Sequence, residues 1–230
     1  GDAGGSLGAA LTCYFQYLNN KRVVNPNDSM RGAFLGQRYE DKDIEDQLLK
    51  NDLIFKKYNE EELISTTAKL ISESNVIGWF QGRMEFGPRS LGCRSILGDP
   101  RSKDMQKILN LKIKFRESFR PFAPSIMEEK TNEWFKFSNE SPYMLFVAEL
   151  NDNKKIEINE KDLNKTGLEN LYIKRSNIPA VTHVDYSARL QTVNKKNNNL
   201  FYELIKSFYK ITNVPILINT SFNIRGEPIV

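Results

Sequence analysis

Val76-Ile77-Gly78-Trp79-Phe80-Gln81-Gly82-Arg83-Met84-Glu85-Phe86-Gly87-Pro88-Arg89-Ser90-Leu91-Gly92-Cys93-Arg94-Ser95 joins a short apolar run to a loop punctuated by glycine, proline and arginine. A bounded apolar run of this length suits a buried strand, and the glycines and proline after it end the strand in a loop. Loops held on rigid strands often carry function. Outward from this loop, residues 83–120 contain six arginines (Arg83, Arg89, Arg94, Arg101, Arg116 and Arg120), yet no lysine occurs between Ile77 and Ser102. A guanidinium is a rigid five-donor fork that grips oxyanions in pairs of hydrogen bonds, whereas an ammonium is a point charge. The selection of arginine therefore points to a multiply charged oxyanion, phosphate above all.

The flanking segments read as alternating helices and strands. Gly4-Gly5 before Leu7, Ala9, Ala10, Leu11 and Phe15 reads as a glycine turn opening a helix of small, closely packed residues. The segment 19–39 is polar and irregular. Ile44, Leu48 and Leu49 mark one helical face, and Leu63, Ala68, Leu70 and Ile71 mark another. Ser102 or Asp104 can cap a helix bearing Met105, Ile108 and Leu109. Residues 143–150, 179–184 and 214–218 are strand candidates, and 200–209 form an amphipathic helix. The hydrophilic stretch 151–178 is read as a surface excursion. A domain boundary is placed near Ser74. This interleaving predicts an α/β architecture, with ligands at strand ends.

At 230 residues with 40% apolar content, the chain can build one large or two small domains around a real core. A net charge of +4 is too weak for wholesale binding to nucleic acid or a membrane surface. Cys13 and Cys93, with no Cys-x-x-Cys pair, suit reduced, buried thiols and a cytoplasmic location. No apolar run approaches the roughly 20 residues of a spanning helix, and no basic-then-apolar leader opens the chain. A start at Gly1-Asp2-Ala3-Gly4 and an end at Glu227-Pro228-Ile229-Val230 read as a fragment of something longer.

Three segments offer phosphate ligands: residues 82–95, Lys114-Phe115-Arg116 with Arg120, and Asn219-Thr220-Ser221-Phe222-Asn223. Glycines admit backbone amides to oxygens, and serine or asparagine can bridge phosphate to magnesium or sugar. If Lys114-Phe115-Arg116 is a strand, both cations share one face and Phe115 lies behind them in the core. Glu85 reads as an orienter of an arginine, with a base as the alternative. His183, between Val181 and Val184, reads as a core or rim histidine. Trp79, Phe80, Phe86 and Phe122 read as core, with adenine stacking as the alternative. Asp185 and Arg189 are either an ion pair or a phosphate and ribose contact.

At these residues the chain resembles the carbamoyltransferase family that includes nodulation-factor and antibiotic O-carbamoyltransferases. The resemblance rests on Gly82 to Asp99, Ile113 to Pro124, Pro179 to Asp185 and Asn219 to Val230. It implies a YrdC-like twisted mixed sheet with flanking helices over residues 74–230, truncated at its C-terminus. Lys114-x-Arg116 and Ser221-x-Asn223 look like that superfamily's nucleotide signatures. Residues 1–73 would be the tail of an actin-like (ASKHA) ATPase domain, in which Asp2 would be a metal ligand.

The resemblance also implies a reaction in which carbamoyl phosphate and ATP give carbamoyl adenylate, whose carbamoyl group passes to a substrate hydroxyl. Arg83, Arg89 and Arg94 would then hold carbamoyl phosphate, Lys114 and Arg116 the triphosphate, and Ser221 and Asn223 phosphate or Mg2+. Arg120 and Arg189 would complete the pocket. Iron is implied only for a full-length protein, because Asp2 alone cannot hold it. Tyr186, where the family usually has glycine, and Cys93, where asparagine is common, depart from the pattern. The competing reading is an RNA- or nucleotide-binding module of the same fold. Concentration of the arginines among turns, without a spread of exposed aromatics, argues against RNA.

Overall fold

A computed structural model describes residues 2–230; the side chains of residues 2, 3, 161, 163 and 168 lie outside the described set. The expectation for Asp2 as a metal ligand falls on one of these. Among the described residues there are seven strands: β1 (Ile77–Phe80), β2 (Arg94–Gly98), β3 (Ala123–Met127), β4 (Val147–Glu149), β5 (Ser187–Arg189), β6 (Gln191–Val193) and β7 (Ile216–Ser221). Five of them form one sheet in the order β1-β2-β7-β3-β6. Only β3 and β6 run parallel; the other pairs are antiparallel, so the sheet is mixed. β4 and β5 pair separately, antiparallel.

The helices are α1 (Asp2–Thr12), α2 (Asp41–Lys50), α3 (Glu60–Ser72), α4 (Met105–Ile108), α5 (Thr131–Trp134), α6 (Glu160–Leu163), α7 (Gly167–Leu171) and α8 (Asn199–Thr212). In α8, Phe201, Leu204, Ile205 and Phe208 are buried at helical spacing. Its ends are fixed locally. Asn198 accepts from the Phe201 N–H, and Asn213 adopts the left-handed conformation at the C-terminus. Asn59 and Glu62 form a capping box on α3, whose Thr67, Ala68 and Ile71 are buried. α3 packs beside α8, which lies against β3 and β7. Ala68 and Ile71 therefore share one core with Trp79, Leu97, Ile126 and Ile216, with no break in packing at Ser74.

Several expectations change. β1 is an edge strand in which only Trp79 is buried, whereas β2 and β3 are buried throughout. α1 runs through Gly4 and Gly5 instead of starting after them; Gly4, Gly5 and Gly8 have open space around them, so small residues here do not mark close packing. The strand expected over 179–184 is a 3-10 turn over Pro179–Val181, where proline at the first position fits the turn. The one expected over 143–150 shortens to β4, with Leu150 bridging to Phe135. Lys114-Phe115-Arg116 is not a strand. It leaves a π-helical turn (Leu109–Ile113), and Phe115 has φ +48° with its ring exposed, not buried. The excursion at 151–178 is polar at first, but Arg175, Ser176 and Ile178 return to the interior. No helix of the described residues is long and apolar enough to cross a membrane.

Candidate anion-binding cleft

The sheet delivers its polar residues to one place. β7 ends in Asn219-Thr220-Ser221 and turns into Phe222-Asn223; the turn before β3 supplies Lys114, Arg116 and Arg120; β5 supplies Arg189, and the loop before β2 supplies Arg89. Three hollows open there. One of about 150 Å³ is lined by Arg89, Ser90, Arg116, Arg189, Asn219 and Ser221. A second, of about 230 Å³, holds Lys114, Arg116, Arg120, Ser221, Asn223 and Arg225. The third, about 470 Å³, has apolar walls from Phe122, Val147 and Val181, with Arg116, His183 and Asp185 also lining it. Arg116 borders all three, so the cleft is continuous around its guanidinium.

Lys114 is 4% exposed. Its Nζ donates to the main-chain oxygen of Ser221, to Ser221 Oγ (3.2 Å), and to the main-chain oxygen (2.8 Å) and Oδ1 (2.9 Å) of Asn223. Ser221 Oγ also donates to Asn223 Oδ1, at 2.7 Å. The two signature segments, more than a hundred residues apart, are thus one knot. Burial, and after it the Arg116 charge, pushes the ammonium down to about 8, while four oxygens around it hold the protonated form at neutral pH.

Arg116 donates from Nε to Oδ1 of the buried Asn110 at 2.7 Å and lies 5.1 Å from the Phe122 ring centroid. No described residue accepts from its terminal amino groups. Its pKa is lowered by burial first and by Arg120 second, with the Glu117 carboxylate opposing them, as befits cations crowded into a partly buried site. Arg189 is lowered likewise, by burial and then by Arg89. Arg120 pairs with Glu117 at 3.0 Å on the exposed rim. Crowded guanidinium groups of this kind create a site that favours a polyanion.

The expected arginines do not all converge. Arg94 is 1% exposed and stacks 3.5 Å over Phe80. It donates to the carbonyls of Gln81, Cys93, Gln37 and Gly82, so its fork is consumed by backbone and it lines none of the three hollows. Arg83 donates to the Gly36 carbonyl at 3.1 Å and also lies outside them. Glu85 organises the loop itself: its Oε1 accepts from the N–H groups of Leu91 (2.6 Å), Cys93 (2.8 Å) and Arg94 (3.3 Å). It therefore orients a backbone rather than a guanidinium.

Asp185 is not paired with Arg189. Its Oδ1 accepts from Ser187 N (3.0 Å) and Oγ (2.6 Å) and faces His183 Nδ1 at 3.5 Å, which puts the histidine on the rim. Cys93 is buried, and burial before the Glu85 charge pushes its thiol up to about 12, which makes it inert. Trp79 and Phe122 are core, whereas Phe86 is exposed. Asn110 and Gln191, which no sequence motif marks, hold Arg116 and Asn219 in place. Their only signal is a polar residue inside an apolar periodicity.

The family model described as the carbamoyltransferase C-terminus matches residues 68–230. The chain belongs to the carbamoyltransferase family. It is 49% identical over its whole length to an uncharacterized protein, sll1178, of Synechocystis sp., covering 38% of that protein. It is 39% identical, again over its whole length, to nodulation protein NolNO of Sinorhizobium fredii, covering 31% of it. Nodulation protein NolO of Bradyrhizobium diazoefficiens matches 74% of the chain at 43% identity, over 28% of its own length. The chain therefore spans about a third of these family members. The matched segment begins inside α3, in line with the packing of α3 against α8.

Proposed function

We propose that this chain is the carbamoyl-activating part of an O-carbamoyltransferase, built as a YrdC-like domain and working in the cytosol. The observation that carries this reading is the continuous cleft around Arg116, in which a locked Lys114–Ser221–Asn223 knot and four more arginines face neighbouring hollows. Its sizes divide the substrates. The apolar-walled hollow suits the nucleoside of ATP, with Asp185 and Ser187 at its polar edge; the hollow at Lys114 and Arg225 suits the triphosphate. The smallest, between Arg89 and Arg189, suits carbamoyl phosphate.

The overall change is carbamoyl phosphate, ATP and water giving carbamoyl adenylate, pyrophosphate and phosphate. Water first cleaves the bond between the carbamoyl group and phosphate, giving carbamate and free phosphate; a carbamate oxygen then attacks the α-phosphorus of ATP, and the bond to pyrophosphate breaks. No nucleophile from the protein is needed. Lys114, Arg116 and Arg120 stabilise negative charge as it moves onto pyrophosphate, and Arg89 and Arg189 do so for departing phosphate. Lys114 and Arg116 are thus the groups nearest the chemistry.

Mg2+, when bound, screens the phosphate charges, and it fits best on the triphosphate itself. The oxygens of Ser221 and Asn223 already accept from Lys114, so they are poorly placed to hold a cation. Among the described residues no cluster of three His, Cys, Asp or Glu side chains exists that could hold iron. Transfer to an acceptor hydroxyl falls to the remaining length found in the relatives, of which residues 1–73 would be the last, actin-like part.

Pyrophosphate release from ATP tests the reading, measured with and without carbamoyl phosphate on this chain and on a chain extended to the length of its relatives. Release that depends on carbamoyl phosphate is the expected result. Release from neither chain overturns it, and loss of signal with rising salt but no response to carbamoyl phosphate would favour a nucleic-acid ligand.

A further inference from the structure

The floor of the smallest hollow contains a polar network that the proposed chemistry does not use. Asn219 lines this hollow and is 2% exposed. Strand alternation puts it on the same face of β7 as Ser221, two residues on. Its Nδ2 donates to the Ser90 carbonyl (3.1 Å) and to Gln191 Oε1 (2.8 Å). Gln191 Oε1 accepts a second bond from Ser125 Oγ (2.5 Å), and its Nε2 donates to the Leu91 carbonyl (2.8 Å). Both amides are therefore fixed in orientation, because turning either would set oxygen against oxygen.

The consequence falls on the other atom of Asn219. Its Oδ1 is buried and has no hydrogen-bond partner in the protein, and the same is true of Arg189 Nε, whose side chain lines the same hollow. One is an acceptor and one a donor. Native proteins rarely leave such atoms unmet unless a ligand or water completes them. The arginines of this hollow can only donate, so they suit the oxygens of a phosphate or carbonyl but offer nothing to an N–H.

We propose that Asn219 is the residue that selects a carbamoyl group, its Oδ1 accepting from the carbamoyl NH2 while Arg189 Nε donates to the carbonyl oxygen. This rests on the assignment of the smallest hollow to carbamoyl phosphate. A methyl in place of the NH2 leaves Oδ1 unmet, and a third oxygen sets two acceptors against each other. Gln191 acts through Asn219 and is a positioning residue. Selection at this point comes from an unmet acceptor held rigid, which rejects an analogue lacking the donor more strongly than shape alone can.

Titration calorimetry with carbamoylphosphonate and acetylphosphonate, which differ only in NH2 against CH3, tests the assignment on this chain. Wild type is expected to prefer carbamoylphosphonate by about tenfold. Asn219→Ala should bring the two together by weakening carbamoylphosphonate alone. Gln191→Leu keeps the Asn219 side chain but frees it, and should cut the preference several-fold, so the assignment stays testable if Asn219→Ala does not fold. Equal binding of both ligands to wild type, or a preference unchanged in whichever variant folds, overturns the role of Asn219 and leaves the anion site standing. Binding of neither ligand to wild type overturns both.

Discussion

Two arginines of the same loop-rich stretch have opposite fates, and their substitution should separate them. Arg116 spends one nitrogen on Asn110 and lies against Phe122, so Arg116→Ala should abolish nucleotide binding at a small cost in stability, about 1 kcal/mol for the lost hydrogen bond. Arg94→Ala removes a buried donor to four backbone carbonyls and should lower stability by about 3 kcal/mol or more. Parallel melting and ATP titrations check both; normal binding by Arg116→Ala contradicts the cleft assignment. Lys114 adds a pH dependence. Its charged form prevails below about 8, so triphosphate affinity should fall as pH rises through that value, and Lys114→Met should bind weakly with no such step. The sign for stability is opposite. Between about 8 and the ordinary 10.5 the unfolded chain holds more protons at this residue, so its contribution to stability rises with pH across that window.

At the scale of elements, the loop between β1 and β2 is held from both sides. Glu85 gathers three of its N–H groups, and α8 closes the other flank where Gly92, at φ +105°, touches Phe201. A Cβ at Gly92 would meet Phe201 Cδ1 at 2.3 Å. Gly92→Ala should therefore cost about 2–3 kcal/mol, roughly 5–10 °C in Tm at this length. Glu85→Ala should weaken anion binding by unseating Arg89 without shifting the pH profile; a shifted profile would make Glu85 a base after all.

What could be read without the structure follows physical lines. α3 and α8 carry apolar periodicities, so both were visible, as were β1 and the first residues of β7. β2, β3 and β6 were not, because Arg94-Ser95, Pro124-Ser125 and Gln191-Thr192 put polar residues into strands buried on both faces. Two of those residues, Ser125 and Gln191, belong to the network beneath the cleft. The arginine-rich segments announced a site by composition, but composition could not show that Arg94 faces backbone or that Phe115 turns outward.

At the scale of the molecule, packing is uneven along the chain, and this decides which parts unfold together. α1 is exposed along its described side chains and α2 buries none of its own, whereas α3 contributes Ala68 and Ile71 to the same core as β2, β3 and β7. Arg101 ties them further, donating from Nη2 to the Ser72 carbonyl and to Asp99 Oδ2 at 2.6 Å. Local opening follows buried contact, so backbone amides in α1 and α2 should exchange with solvent orders of magnitude faster than those in α3 and α8. Ile71→Ala supplies the coupled test. Deleting three carbons from a fully buried site should cost about 2–5 kcal/mol, and it should accelerate exchange in α8 and β7 by the same factor as in α3 while leaving α1 unchanged. If α3 alone responds, α3 is a separate unit and the division near Ser74 is the right one. If α8 and β7 respond with it, the cooperative domain begins at Asn59, where the α3 cap sits, and Ser74 is a turn inside it.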